Sequence, residues 1–280
     1  MNFGNLPAEY STCESAKVVV IPVQYGDPAS NEGKSSLGAD AILKASAGLR
    51  FYDVETDNVV SEVGIHTTEA IIEDDSVKAI ESVHKTVLQF LKKKKFCVTL
   101  GGDHVVSLGA IRAHFNKIKD LTVVHFDAYP DMRPARSREI TDHGCLMTRV
   151  REMGPFIQIG IRSMNPDESQ ESIQDRVFYA GRIYDNKSWS YEMLNKLTPN
   201  VYLSIDLHAF DPSIMPSVYA PQPGGLGWYQ FMDILKLIAE KATIVGCDIS
   251  ELAPIPGFDA PNYTAARVVY EVITAKFFRE

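Results

Sequence analysis

Paired thiols, a basic excess and long apolar runs are all missing from this sequence, and each absence closes off a class of function. The four cysteines, Cys13, Cys97, Cys145 and Cys247, are scattered with no CxxC pair, which removes the usual thiolate zinc motifs and redox pairs. Cys97 and Cys247 sit in apolar runs, where a reduced, buried thiol is the default. A net charge of −8 and a pI near 5.4 argue against a nucleic-acid groove or an anionic membrane surface as the main partner. The one basic run, Lys92–Lys95, closes a helical pattern, where cations offset the helix dipole. No apolar stretch approaches the ~20 residues that span a bilayer. The opening MNFGNLPAEYSTCESA lacks the basic and apolar regions of a secretory signal, so a soluble, cytoplasmic protein is expected. Nucleotide motifs are also lacking. GDPASNEGKS (26–35) has six residues between its glycines where a P-loop needs four, and reads as a surface loop. PGGLG (223–227) has no GxGxxG spacing and reads as a turn before a helix.

What is present is a regular alternation. Short β-branched runs recur at 17–23 (KVVVIPV), 95–100, 121–126, 155–161, 201–206 and 243–248, with weaker strand candidates FYDVE (51–55) and VFYA (177–180). Near-continuous apolar strands suit a parallel sheet covered on both faces. Between them, 77–91 places Val77, Ile80, Val83, Val87, Leu88 and Leu91 on one helical face, and 228–240 and 263–277 show the same period. Strand–helix alternation over residues 1–280 predicts one α/β domain. It is a three-layer α/β/α sandwich around a mostly parallel sheet of about eight strands.

The chemically capable residues follow the strands directly. GGDH places Asp103 and His104 after one strand; DAYPD places Asp127 and Asp131 after another; SIDLHAFDP carries Asp206, His208 and Asp211; GCDISE carries Asp248 and Glu251. In open α/β sheets ligands bind outside the carboxyl ends of the strands. Acids crowded there repel one another unless a cation neutralises them. An oxygen-and-imidazole set without thiolate favours Mn²⁺, with Zn²⁺, Fe²⁺ or Ni²⁺ as second choices. Asp103 reads as a helix cap and Asp211, before Pro212, as a turn residue. His66, His84 and His114 read as structural, and His125, inside a strand, as core or as support for the ligands.

GGDH (101–104), DAYPD (127–131), HG (143–144), SIDLHAFDP (204–212) and GCDISE (246–251) together resemble the ureohydrolase family of agmatinases and arginases, in its motif order, with the bacterial agmatinase branch most similar. The resemblance implies an arginase-like sandwich, a homo-oligomer (trimer or hexamer) and two Mn²⁺ ions. It implies that one ion uses His104, Asp127, Asp131 and Asp206. The second would share Asp127 and Asp206 and add a His from DAHxD and an Asp from SxDxD. Those two positions here are Tyr129 and His208, so His208 enters as the remaining candidate ligand and the second site departs from the pattern. Phenolate ligation is costly with a reference pKa near ~10.

The same resemblance implies hydrolysis of a small guanidino compound to urea and an amine, agmatine to putrescine in first place. Asp131 would orient the attacking oxygen, His143 would pass a proton to the leaving amine and contact substrate, and Glu251 would hold the guanidinium by paired hydrogen bonds. Two alternatives stand beside this reading. Arg133, Arg136 and Arg138 would suit a guanidino acid if they faced the pocket. The altered pair at 129 and 208 would suit a catalytically impaired scaffold with one metal or none.

Overall fold

In the computed structural model residues 1–26, 33–134, 143–185 and 188–278 are described, with only the backbone of His143. The chain runs β1 (Val18–Gln24), α1 (Gly38–Ser46), β2 (Tyr52–Asp53), β3 (Asn58–Val59), β4 (Ile65–Thr67), β5 (Ile71–Ile72), α2 (Ser76–Lys92), β6 (Phe96–Leu100) and α3 (Ser107–Phe115). It continues through β7 (Leu121–Phe126), α4 (Leu146–Met153), β8 (Phe156–Ile161), α5 (Pro166–Glu171), β9 (Val177–Tyr179), α6 (Ala180–Asp185) and α7 (Trp189–Leu194). It ends with β10 (Asn200–Asp206), α8 (Trp228–Lys241), β11 (Thr243–Ser250) and α9 (Ala260–Phe277). Among the described residues the main sheet has nine strands in the order β4-β1-β6-β11-β10-β7-β8-β9, with β5 also paired to β1. All its pairings are parallel.

The sheet is covered on both faces, as its sequence requires. Successive side chains of β1 go to opposite sides. Val18 and Val20 join a core with α1, α8 and α9, while Val19, Ile21 and Val23 join one with α2, α3 and α4. The periodic residues Ile80, Val83 and Val87 of α2 are buried in the second core, whereas Val77 is exposed. Asp75 caps that helix, accepting from the backbone N–H of Lys78 at 2.9 Å. The buried thiols Cys97 and Cys247 are free; burial pushes Cys97 up to about 12 and Cys247 also well above its usual range. No helix among the described residues is long and apolar enough to cross a membrane.

The three-layer sandwich agrees with the pattern of the sequence, and the strand census differs in detail. FYDVE forms only the two-residue β2, paired antiparallel with β3 in a separate ribbon. The places in the main sheet are taken instead by β4 and β5, too short to carry an alternating signal. What matters for function is the centre. β6, β11, β10 and β7 are consecutive neighbours, so the loops leaving their carboxyl ends open onto one rim.

Candidate metal and substrate site

The rim is built from four strand exits. β6 leaves Leu100 through Gly101 and Gly102 into a single tight turn at His104–Val106. A Cβ at Gly102 would collide with the Tyr25 carbonyl, so this approach admits only glycine. Asp103 caps the turn by accepting from Val105 N–H at 2.9 Å, the role its sequence position suggests. Asp127 follows β7 at once; its Oδ1 accepts from the backbone N–H of Ala128 and Tyr129 at 2.5 and 3.1 Å. Asp206 ends β10, and Glu251 follows β11. Glu251 Oε1 accepts from the backbone N–H of His104 at 2.6 Å, tying the first exit to the last. Three non-glycine residues at positive φ line the cavity here: Asp131 (51°), Ala220 (46°) and Glu251 (68°). Such backbones cost energy and collect where a site requires them.

His104, Asp127, Asp131 and Asp206, singled out from the sequence, converge. His104 Nδ1 lies 3.1 Å from Asp206 Oδ2, 3.6 Å from Asp131 Oδ2 and 3.9 Å from Asp127 Oδ2. A buried relay decides which nitrogen carries the proton. Ser204 and Asp248 pair across β10 and β11, and the Ser204 hydroxyl donates to Asp248 Oδ1 at 3.1 Å. Ser204 Oγ therefore accepts from His104 Nε2–H at 2.9 Å. That leaves the Nδ1 lone pair, which has no hydrogen-bond partner, facing three carboxylates. A lone pair against buried anions is repulsive, and a cation among them removes the conflict. The residues thus fit the first metal ion that the resemblance implies.

His125, Asp127, Asp131 and His104 also offer ligand atoms within 4.8 Å of one another, but His125 has another role. The Gln158 amide donates to Pro130 carbonyl at 2.7 Å and to His125 Nδ1 at 3.1 Å. This places the ring proton on Nε2, which points at Asp127 Oδ2 from 3.4 Å. His125 supports Asp127, its ring stacked 5.3 Å from that of His104.

The titration directions express the same demand for positive charge. Burial opposes charge on His104, yet Asp131, Asp206 and Asp248 together raise it well above the usual imidazole value. Burial and the neighbouring Asp127 push Asp131 up to about 6, against the lowering influence of His104. Burial would raise Asp206, but His208 and His104 hold it below the usual carboxylate range.

On the other side of Asp206 lies His208, which with Asp127 and Asp206 forms a second group of donor atoms within 4.8 Å. Its Nδ1 is 2.7 Å from Asp206 Oδ1 and its Nε2 bonds the Tyr219 carbonyl. Burial works against the charged ring, but Asp206 pushes it up to about 10. Tyr129 stands edge-on to that ring, with centroids 5.4 Å apart.

A cavity of about 210 Å³ opens above this rim, and its lining adds Glu168, Glu251 and Arg133 to the carboxylates. Glu251 reaches this lining from the exit of β11. Glu168 was not foreseen: it is buried at the third position of α5 and accepts from Asn165 N–H at 2.9 Å. An acid in PDES reads from sequence as a solvated helix start. Ser204 was also missed, although it stands two residues before Asp206 and therefore shares its face of the strand. The His143 side chain, Arg136 and Arg138 lie outside the described residues. Asp211 accepts from Ser213, Gly224 and Gly225 N–H, a loop organiser as its sequence suggests. His66, His84 and His114 bond Ser11 carbonyl, Asn116 and Ala110 carbonyl respectively, all away from the rim.

Known proteins are similar along almost the whole chain. N(1)-aminopropylagmatine ureohydrolase of Thermus thermophilus is 35% identical over 98% of this chain and 94% of its own. The Synechocystis protein of the same name is 32% identical over 92% and 88%. Among solved structures, agmatine ureohydrolase of Thermoplasma volcanium superposes with a TM-score of 0.86 at 26% identity, covering 96% of this chain and 93% of that one. The sequence profile of the arginase family matches residues 16–275, from the strand before the first crossover to the last helix, and the chain belongs to that family, a hydrolase of guanidino compounds.

Proposed function

We propose that this chain releases urea from a linear cationic guanidino amine, agmatine or its N1-aminopropyl derivative, in a metal-dependent hydrolysis. The observation that carries the reading is the approach of His104 Nδ1 to three carboxylates that, with two further acids, line a cavity. His104, Asp127, Asp131 and Asp206 would hold a divalent cation, with Mn²⁺ suited to their oxygen-rich set. When bound, such an ion supplies Lewis acidity that brings the pKa of water towards ~7.

The chain's own groups account for the remainder. Asp131 would orient the attacking oxygen, the role it has by resemblance. Glu251 faces the guanidinium, whose planar N–H groups match a carboxylate. The oxygen adds to the guanidinium carbon, the bond from that carbon to the chain-bearing nitrogen breaks, and the departing amine takes the proton, in the role His143 has by resemblance. Urea and a primary amine result.

Substrate charge follows from the lining. Among the described residues, Asp127, Asp131, Glu168, Asp206 and Glu251 line the cavity against one guanidinium, Arg133, and one imidazole, His208, an acidic excess that a divalent cation would only partly offset. That balance favours a positively charged tail over the carboxylate of a guanidino acid. The aminopropylagmatine ureohydrolases among the relatives support the same class. Urea release by the Mn²⁺-loaded protein from agmatine, N1-aminopropylagmatine and 4-guanidinobutyrate tests it. The two amines are expected to show the higher kcat/KM; preference for the acid, or no urea from any of the three, overturns the proposal.

A further inference from the structure

We infer that protein groups occupy the place of the family's second cation, so that this chain binds one metal ion per subunit, through His104, Asp127, Asp131 and Asp206. The inference rests on the first-ion reading above and narrows it.

Both positions that depart from the family pattern are spent on protein partners. The Tyr219 carbonyl can only accept, so His208 Nε2 is a donor. His208 Nδ1 lies 2.7 Å from Asp206 Oδ1, which also accepts the His208 backbone N–H at 2.7 Å. Nε2 is spent on the Tyr219 carbonyl and Nδ1 faces Asp206 Oδ1, so both ring nitrogens are engaged by protein groups. The Tyr129 hydroxyl donates to the Ala220 carbonyl at 2.9 Å and accepts from Gln222 at 3.1 Å, so the phenol binds the 219–222 loop and not the acids.

The two carboxylates that would bridge a pair of ions tell the same story. Asp127 Oδ1 is taken by the N–H groups of Ala128 and Tyr129, and Asp206 Oδ1 by His208. Each presents only Oδ2 to His104. A second ion would have to share Oδ2 with the first or compete for an Oδ1 that already accepts backbone N–H groups.

The loop that meets His208 and Tyr129 is itself pinned. The Arg162 guanidinium donates to the carbonyls of His208 (2.9 Å), Gln222 (2.7 Å) and Pro223 (3.1 Å). It therefore holds the strand exit and the 219–223 loop as one piece. A second ion would have to break the His208 contacts with Asp206 and Tyr219 against this brace.

Metal content after equilibration with excess Mn²⁺ and gel filtration, measured by plasma mass spectrometry, reads the answer without reference to activity. The wild-type protein is expected to retain one ion per chain and to give the electron paramagnetic resonance spectrum of isolated Mn²⁺. The Tyr129→His/His208→Asp double variant is expected to retain two, with the spectrum of an exchange-coupled pair. Wild-type protein that holds two ions, coupled or not, overturns the inference, and so does protein that holds none. The wild-type spectrum decides the matter even if the double variant fails to fold. One ion with no urea from any guanidine would overturn the hydrolytic proposal and leave this inference standing; two ions with brisk urea release would do the reverse.

Discussion

On the His104 side of the rim, an imidazole offers a bare nitrogen to three carboxylates; on the His208 side, 2.7 Å beyond the same Asp206, an imidazole has both nitrogens bonded to the protein. The difference lies in what stands behind each ring. Behind His104 is an acceptor relay, Ser204 to Asp248, that draws the proton to the far nitrogen and turns the lone pair inward. Behind His208 is a backbone carbonyl, which draws one proton outward while Asp206 engages the other nitrogen. The outer partners thus decide which nitrogen of each ring, if any, is left for a metal, as the surroundings of metal ligands do in general.

The largest effect should come from removing a carboxylate on the open side. Asp131→Asn leaves the buried ligand set short of one charge. By the scale of ~3–5 kcal/mol for breaking a buried charged pair, Mn²⁺ affinity should fall by about a thousandfold in calorimetric titration. Unchanged affinity would remove Asp131 from the ligand set.

An imidazole remote from both halves provides the next contrast. Burial pushes the pKa of His114 down to about 4, against the smaller raising influence of the Ala110 and Val245 backbone and of Asp248. The unfolded chain protonates it below about 6.5 and the folded chain only near about 4, so its contribution to stability is complete above 6.5 and declines as the pH falls between those values. The loss amounts to roughly 3 kcal/mol. Denaturant melts across that window should show the decline, and His114→Gln should flatten it; an unaltered slope would assign the acid sensitivity elsewhere.

Ser204→Ala cuts the relay while leaving every proposed ligand in place. A loss of about 10–100-fold in Mn²⁺ affinity is expected, as for other outer partners of metal ligands, and no loss would mean that the tautomer of His104 is set by other groups. The smallest effect belongs to the closed side. Tyr129→Phe removes one half-buried hydroxyl with two hydrogen bonds, a cost of about 1 kcal/mol in stability with metal stoichiometry unchanged. A change in the number of ions bound would place the phenol among the ligands.

Much of this was legible in the sequence because the relevant signals are local. The β-branched runs that became β1, β6, β7, β10 and β11 are buried along nearly their whole length, and an acid or imidazole directly after such a run has nowhere to go but the sheet's edge. FYDVE misled because its alternation belongs to a two-strand ribbon with Tyr52 turned to solvent. Glu168 and Arg162 were invisible because their roles depend on packing. One is a helix-start acid buried over the cavity, and the other an arginine whose partners lie 46 to 61 residues away.

The chain alone determined the parallel sheet, the set of acids and imidazoles at its carboxyl edge, and the departure from the family pattern at 129 and 208, since periodicity and residue identity are properties of neighbours in sequence. Only the tertiary structure decided what each imidazole does. Which ring nitrogen is spent on the protein depends on the acceptor that faces it, and Ser204, backed by Asp248, and the Tyr219 carbonyl arrive from other parts of the chain when the strands come together.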